Sequence, residues 1–326
     1  MILVTGASGF LGLQLLQELI ARQKPVRAIY NSTVPQLQHP LIQWEKADLL
    51  DIFAVEHIFR DVTHVYHCAA IVSFDSAYKE ALIQNNIHVT AHVVNQALEQ
   101  GIDKMIYVSS IAAMGRSQTA QFIDEETFWT ESRENSTYSK SKYYAEMEVW
   151  RGIAEGLNAA IVNPAIILGE GDYSRGSAQL MSNVAKEFPY YTEGVNGWVD
   201  VKDVARAMVL LMDSDISEER FILSTGNYSY REVFTLMAEQ LSVRPPSRHA
   251  TPFLASIVWR LDYLRSRITG KNPLITRESA RTARNQCYYD NSKFLEAFPA
   301  FEYTPLSATI ERMASDFKDR TNRGKP

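Results

Sequence analysis

Short apolar runs of strand length alternate along the chain with longer stretches whose apolar residues recur every three to four positions. The runs at 2–4, 26–29, 41–44, 64–67, 105–108 and 160–162 predict strands. The stretches at 11–21, 52–59, 81–100 and 137–155 predict amphipathic helices. Strict alternation of strand and helix requires right-handed crossovers, hence an α/β fold with a doubly wound parallel sheet covered on both faces. Ligands of such sheets bind at the carboxyl ends of the strands.

After Asn163-Pro164 the character changes, and 164–200 is richer in Gly, Ser and Tyr. Residues 199–212 predict a strand end and a helix, and 221–223 one more buried strand. From about Tyr230 onward the pattern is helical and aromatic. The expected division is 1–165 for a domain built on the parallel sheet and 166–326 for a smaller, interleaved C-terminal domain, with elements near 199–224 returning to the first.

At 326 residues the chain has room for one large α/β unit with an appendage, or for two domains. Its 46% hydrophobic and 22% charged residues are ordinary for a globular enzyme. A net charge of −5 supplies no basic field, so nucleic acid is not an expected partner. Cys68 and Cys287 cannot form a disulfide framework, and no CxxC spacing is present for zinc. No charged leader precedes an apolar segment and no stretch is long enough to span a bilayer, so a cytoplasmic protein without stable membrane insertion is expected.

The first strand runs into Gly6, Gly9 and Gly12, spaced GxxGxxG rather than GxGxxG. Gly6 permits a tight turn, Gly9 lets the backbone approach a phosphate, and Gly12 permits close helix–sheet packing. With Ser8, Phe10 and Leu11, these residues place free N–H groups and a positive dipole end where a pyrophosphate can sit. The bland alternative is a glycine-rich turn without a ligand. A carboxylate about 20 residues on would bind the ribose 2′-hydroxyl of NAD. Here the second strand ends Ile29-Tyr30-Asn31-Ser32, without one. NAD(P) is the expected cofactor, and this absence favours NADP, although no arginine stands at the strand end and Arg27 lies within the strand. Asp48, followed by Leu49, is placed for the adenine amino group or as a helix N-cap.

Tyr138 and Lys142 are i and i+4 on one predicted helix face. An ammonium beside a phenol lowers its pKa from about 10 and makes it a usable acid or base. Ser109 and Ser110 end the fifth strand, where a hydroxyl can hold a carbonyl oxygen. YxxxK alone is commonplace. Its position between the fifth and sixth strands, downstream of the serines, is what makes it specific.

Thr5-Gly6-Ala7-Ser8-Gly9-Phe10-Leu11-Gly12, Ala47-Asp48-Leu49, Val65-Tyr66-His67-Cys68-Ala69-Ala70, Asn86-Ile87-His88-Val89-Thr90, Val108-Ser109-Ser110, Tyr138 to Lys142 with Ala145-Glu146, and Val199 to Ala205 together resemble the extended short-chain dehydrogenase/reductases. The resemblance covers nearly the whole chain and implies a Rossmann fold. It implies Ser110, Tyr138 and Lys142 as the catalytic triad, with Ser109 the neighbour. It also implies Ala69 and Ala70 beside the cofactor ribose, Asn86 as a helix asparagine steadying the strands around it, and Pro164 and Ile166 among the cofactor-binding residues. Nucleotide-sugar epimerases carry a Tyr-Gly-Pro run after the sixth strand. Here that place reads Asn163-Pro164-Ala165-Ile166-Ile167-Leu168-Gly169, which is similar to dihydroflavonol, cinnamoyl-CoA and 3β-hydroxysteroid-type reductases. Ser73-Phe74, Thr269 to Leu274 and Tyr289 to Lys293 point the same way, whereas Gly169-Glu170-Gly171 departs from the usual Gly-Pro.

The expected activity is NAD(P)-dependent reduction of a carbonyl, or oxidation of the alcohol, on a bulky, largely apolar small-molecule substrate. An epimerase or dehydratase of nucleotide sugars with tightly bound NAD is the enzymatic alternative, and a non-catalytic cofactor sensor the other. A homodimer pairing helices 81–100 and 137–155 is implied by the resemblance. His88 and His92 read as packed helix residues rather than metal ligands, and Cys68 as a core residue. Residues 256–285 carry seven Lys/Arg against two acids, which suits a solvated face, a cleft cover, an anionic substrate or a membrane surface.

Overall fold

The computed structural model describes residues 1–32, 35–70, 79–115, 122–132, 135–251 and 284–324. Its strands are β1 (Ile2–Thr5), β2 (Val26–Tyr30), β3 (Ile42–Lys46), β4 (His64–His67), β5 (Lys104–Val108), β6 (Ala159–Pro164), β7 (Ile166–Leu168), β8 (Tyr190–Tyr191), β9 (Val195–Asp200), β10 (Glu219–Leu223), β11 (Gly226–Ser229) and β12 (Arg248–His249). The helices are α1 (Phe10–Ala21), α2 (Ile52–Ile58), α3 (Lys79–Gln100), α4 (Thr137–Ala154), α5 (Gln179–Ala185), α6 (Val201–Met212), α7 (Tyr230–Leu241), α8 (Ser292–Ala297) and α9 (Leu306–Asn322).

Seven strands form one parallel sheet in the order β3-β2-β1-β4-β5-β6-β10. The order reverses between β1 and β4, which opens a crevice at their carboxyl ends. Successive strand residues bury opposite faces. Val4, Ala28, Tyr66, Ile106 and Val162 pack with Leu11, Leu15 and Leu16 of α1 and Val204 and Met208 of α6. Their neighbours Leu3, Ile29, Val65, Met105, Tyr107 and Ile161 pack with Val55 of α2, Val89 and Val93 of α3, and Ala145 and Val149 of α4. This double burial is why the strands read as continuous apolar runs rather than alternating ones.

A third core gathers Leu168, Tyr173, Met181, Trp198, Tyr230, Met237, Ile310 and Met313 from β7, β9, α5, α7 and α9. There β9 pairs antiparallel with β11 and parallel with β7. The chain beyond Tyr230 is not uniformly helical. Residues Ile123 and Tyr289 form a bridge, Val195 and Gln286 another, and β12 pairs with β8. The signal missed there was pairing to distant partners, which local periodicity does not carry.

Helix starts follow their caps. Asp51 accepts from the N–H groups of Phe53 and Ala54 at the head of α2, and Ser136 from that of Ser139 at the head of α4. Strand β3 runs past Trp44 because Glu45 and Lys46 pair with Ile29 and Tyr30 of β2 at the sheet edge, where polar side chains reach water. The residues after β4 at 71–78, with Ser73-Phe74, and residues 252–283, with Thr269 to Leu274 and nearly all of the basic 256–285 run, lie outside the described residues.

Candidate active site

The turn from β1 into α1 opens the site. Gly6 has φ +64°, and a Cβ there would lie 2.6 Å from the Ala69 nitrogen, so only glycine lets the two strand ends approach. A Cβ on Gly12 would lie 2.3 Å from the Gly6 carbonyl oxygen, so α1 sits directly on the turn. Gly9 caps α1 without a side-chain bond, and the first turn holds no acidic residue. The leading N–H groups of Phe10, Leu11 and Gly12 therefore lack an acceptor within the twelve-residue helix and lie at its positive end. A dinucleotide pyrophosphate fits this donor set, with the half-buried Ser8 beside it.

Around the turn, Ala69 and Ala70 follow β4, Ala69 half-buried and Ala70 exposed, and the Ala69 N–H donates to the Thr5 hydroxyl at 3.3 Å. Tyr30 and Asn31 end β2, with the Tyr30 ring edge-on to Trp44 at 6.3 Å. Arg27 is committed elsewhere, donating to the Ile58 and Arg60 carbonyls at 2.7 and 2.8 Å. Asp48 accepts from the Leu50 N–H at 3.0 Å and closes the turn before α2. It is not the helix cap, which is Asp51, three residues later. Leu49 is buried in the sheet's second face.

Ser110, Tyr138 and Lys142 come together at the end of β5. The Ser110 hydroxyl accepts from the Ala112 N–H at 3.1 Å, capping a 3-10 turn at Ile111–Ala113, and hydrogen-bonds the Tyr138 phenol. Lys142 is buried, donating to the Val108 carbonyl at 2.8 Å and lying 3.5 Å from the Tyr107 hydroxyl. Burial lowers its pKa to about 8, against the opposing pull of Glu146 and Cys68. Burial likewise pushes the Tyr138 phenol up, with the Ser110 hydrogen bond opposing. The expected depression of the tyrosine is thus corrected: desolvation outweighs the Ser110 hydrogen bond, and the phenol is held in its protonated form.

Ser109 is buried, and its Oγ has no partner among the described residues. Pro164 ends β6 fully covered, and Ile166 begins β7 half-buried. Asn86 bonds the Ser141 hydroxyl at 3.3 Å, so it joins α3 to α4 in addition to any role beside the strands. His88 and His92 stack at 6.4 Å, and His92 meets the Leu49 carbonyl at 3.0 Å. Among the described residues, no group of His, Cys, Asp and Glu is arranged to hold a metal. Cys68 packs half-buried against the first face, its thiol pushed up to about 12 by burial.

Reasoning from the sequence missed a polar layer beneath the site. His67 is fully buried between the Thr5 hydroxyl at 2.6 Å and the Thr90 hydroxyl at 3.3 Å. Burial, aided by the Lys142 charge, lowers its pKa to about 3. Asn163 donates to the Ser110 carbonyl at 3.1 Å and to the buried Glu146 carboxylate at 2.8 Å, and Arg220 reaches Glu146 at 3.1 Å. Polar residues inside otherwise apolar strands were the available signal.

Comparison with known proteins agrees with this geometry. The model of the NAD dependent epimerase/dehydratase family matches residues 2–223. A Synechocystis protein provisionally named dihydroflavonol 4-reductase is 26% identical over 302 residues, covering 90% of this chain and 88% of its own. Cinnamoyl-CoA reductase 1 of Oryza sativa subsp. japonica is 27% identical over 269 residues, covering 76% of this chain and 77% of its own. The crystal structure of gox2253 superposes with a TM-score of 0.83 at 26% identity, over 98% of each chain. With the glycine turn, the switch-point crevice and the matched segment in agreement, the chain belongs to the NAD dependent epimerase/dehydratase family and is an NAD(P)-dependent oxidoreductase of the short-chain dehydrogenase/reductase type.

Proposed function

We propose that this protein reduces a carbonyl on a bulky, largely apolar small molecule, with Tyr138 as proton donor, Ser110 as hydrogen-bond donor to the carbonyl, and Lys142 as the charge beside them. The observation that carries this reading is the contact of the Ser110 hydroxyl with the Tyr138 phenol at the end of β5, with Lys142 buried one helical turn from that tyrosine. The bound dinucleotide would supply hydride to the carbonyl carbon. It would be held by the 6–12 turn, Tyr30, Asn31, Asp48, Leu49, Ala69, Ala70, Asn86, Ser109, Pro164 and Ile166.

Ser110 fixes the carbonyl oxygen by donating its hydroxyl hydrogen. Tyr138, kept protonated by burial, transfers its proton to the oxygen as negative charge develops there. Lys142 favours the phenolate left behind, a state that burial alone opposes. The reductive direction suits a phenol whose pKa is raised. NADP is favoured over NAD because β2 ends without a carboxylate, and a mainly C-terminal part of the chain, 166–326, would enclose the substrate. The relatives named as reductases of a dihydroflavonol and a cinnamoyl-CoA support the substrate class. The undisulfided Cys68 and Cys287 fit a reducing, cytoplasmic setting.

The family model supports a second reading, epimerisation or dehydration of a nucleotide sugar with retained NAD. Coenzyme oxidation is measured with cinnamaldehyde and a cinnamoyl thioester, and formation of a new sugar nucleotide with UDP-glucose, for the wild type and Tyr138→Phe. Consumption of NADPH with the aromatic carbonyls, lost in Tyr138→Phe, is the expected result. Co-purified NAD with turnover of UDP-glucose alone transfers the assignment to the second reading. Turnover untouched by Tyr138→Phe would falsify the proposed chemistry.

A further inference from the structure

Beneath the proposed triad lies a buried carboxylate that it does not use. Glu146 is fully covered, yet its Oε2 accepts from Asn163 at 2.8 Å and its Oε1 accepts from Arg220 at 3.1 Å and from the Trp150 indole at 3.3 Å. These partners come from α4, β6 and β10. Arg220 in turn donates from Nε to the Glu125 carbonyl at 2.9 Å, and the Glu125 carboxylate accepts from the Ile222 N–H at 2.7 Å. The network is therefore continuous from α4 across the sheet edge.

Two features separate it from a mere structural clasp. Asn163 spends its amide hydrogens on the Ser110 carbonyl and on Glu146, while its own Oδ1 is buried without a partner among the described residues. Both contacts are acceptors, which fixes the amide's orientation at the cost of a bare oxygen. Glu146 also lies one turn beyond Lys142 on the buried side of α4. Lysine preceding glutamate is the less favourable order for an i,i+4 helix pair. Helix stabilisation therefore does not account for it.

We propose that Glu146 is a positioning residue that joins the Ser110 backbone, through Asn163, to the helix bearing Tyr138 and Lys142, and that sets its carboxylate one helical turn from Lys142 as the charge partner of that ammonium. The inference rests on the reading of Lys142 given under the proposed function. The ionisable groups around Lys142 are Tyr138 one turn before it and Glu146 one turn after it on α4, His67 and Cys68 at the end of β4, and Tyr107 from β5. Neutral His67 adds no charge, and burial keeps the thiol and both phenols protonated. Glu146 is thus the one anion of that set. Arg220 faces Glu146 from the far side and balances it only in part.

The test follows the Lys142 ammonium directly, by NMR of lysine carrying 13C at Cε, with the resonance assigned from its loss in Lys142→Met. In Glu146→Gln the Lys142 midpoint is expected to fall by about one pH unit, a tenfold change in its acid constant. The double variant Glu146→Gln/Arg220→Gln removes the Arg220–Glu146 ion pair as a whole and is expected to show a smaller fall, because the opposing Arg220 charge goes with it. An unchanged midpoint in either folded variant overturns the proposal. If neither variant folds, the same resonance is followed in Glu146→Asp, which keeps the charge but draws it back by one methylene. A lowered midpoint supports the tie, and an unchanged one overturns it. Turnover separates this outcome from the functional reading: full activity in Lys142→Met sinks that reading without moving the titration of the wild type.

Discussion

The Lys142 ammonium donates to the Val108 carbonyl at 2.8 Å, which fastens α4 to the last residue of β5, two positions before Ser110. The lysine is held by the strand as well as by its own helix, so the distance from Tyr138 to the serine depends on it. Its pKa is lowered to about 8, first by burial. In the unfolded chain a lysine titrates near about 10.4. Between those limits the unfolded state binds more protons, so the Lys142 contribution to stability rises with pH across that window. An activity that needs the ammonium falls over the same window. Opposite slopes of turnover and of unfolding free energy above pH 8 are expected. Both should flatten in Lys142→Met, as read by pH–rate profiles and urea titrations.

His67 makes the corresponding prediction in acid. Its pKa is lowered to about 3 by burial, helped by Lys142, while the unfolded imidazole titrates near about 6.5. Below the unfolded value the unfolded state takes up a proton that the folded state refuses. Stability therefore falls with acid at about 1.4 kcal/mol per pH unit until the folded pKa is reached. His67→Gln keeps a polar group between Thr5 and Thr90 but cannot titrate. It is expected to be less stable at neutral pH and to lose less between pH 6 and 4. A wild type whose melting temperature is flat over that range would contradict the neutral, buried assignment.

How much of this was readable in advance depends on the range of the interaction. The parallel sheet was legible because both of its faces are apolar, which leaves continuous runs such as 105–108 in the sequence. The glycine turn was legible because backbone approach at Gly6 and Gly12 demands the absence of a side chain. Ser110, Tyr138 and Lys142 were named from spacing and resemblance, and the fold does bring them together. What escaped was set by tertiary burial. The direction of the Tyr138 shift, the neutrality of His67 and the Asn163–Glu146–Arg220 connection all depend on which side chains the sheet encloses. For Asp48 the sequence left an adenine contact and a helix cap both open, and the cap falls to Asp51, directly before the helix start at Ile52.

Arg27 gives a prediction about coenzyme choice. Its guanidinium bonds the Ile58 and Arg60 carbonyls and lies 3.5 Å from Glu45, so it is spent on joining β2 to β3 and the end of α2. Arg27→Met is expected to lower stability by about 1–3 kcal/mol, through the lost charged hydrogen bonds. NADPH and NADH affinities should change by the same factor. A selective loss of NADPH binding, read by fluorescence titration of both coenzymes, would show that the arginine leaves these partners to meet a 2′-phosphate.

Gly6 offers the most direct probe of the cofactor turn. At φ +64° any side chain already carries a cost of roughly 1–2 kcal/mol, the penalty for left-handed backbone. A methyl group there would also meet the Ala69 nitrogen at 2.6 Å and the Cys68 carbonyl carbon at 2.8 Å. Those atoms are backbone following β4 and cannot rotate away, so the ends of β1 and β4 must separate. The crevice at the switch point would then lose the alignment of the α1 N–H groups with the segment past Ala69. Gly6→Ala is expected to weaken dinucleotide binding at least about tenfold, or 1.4 kcal/mol, with a lowered melting temperature that added NADPH no longer raises. Gly101→Ala supplies the control. It shares the positive φ, at +61°, but its Cβ would meet nothing within 4 Å. Equal losses of affinity in the two variants would mean that backbone strain alone, and not the contact with Ala69, sets the binding geometry.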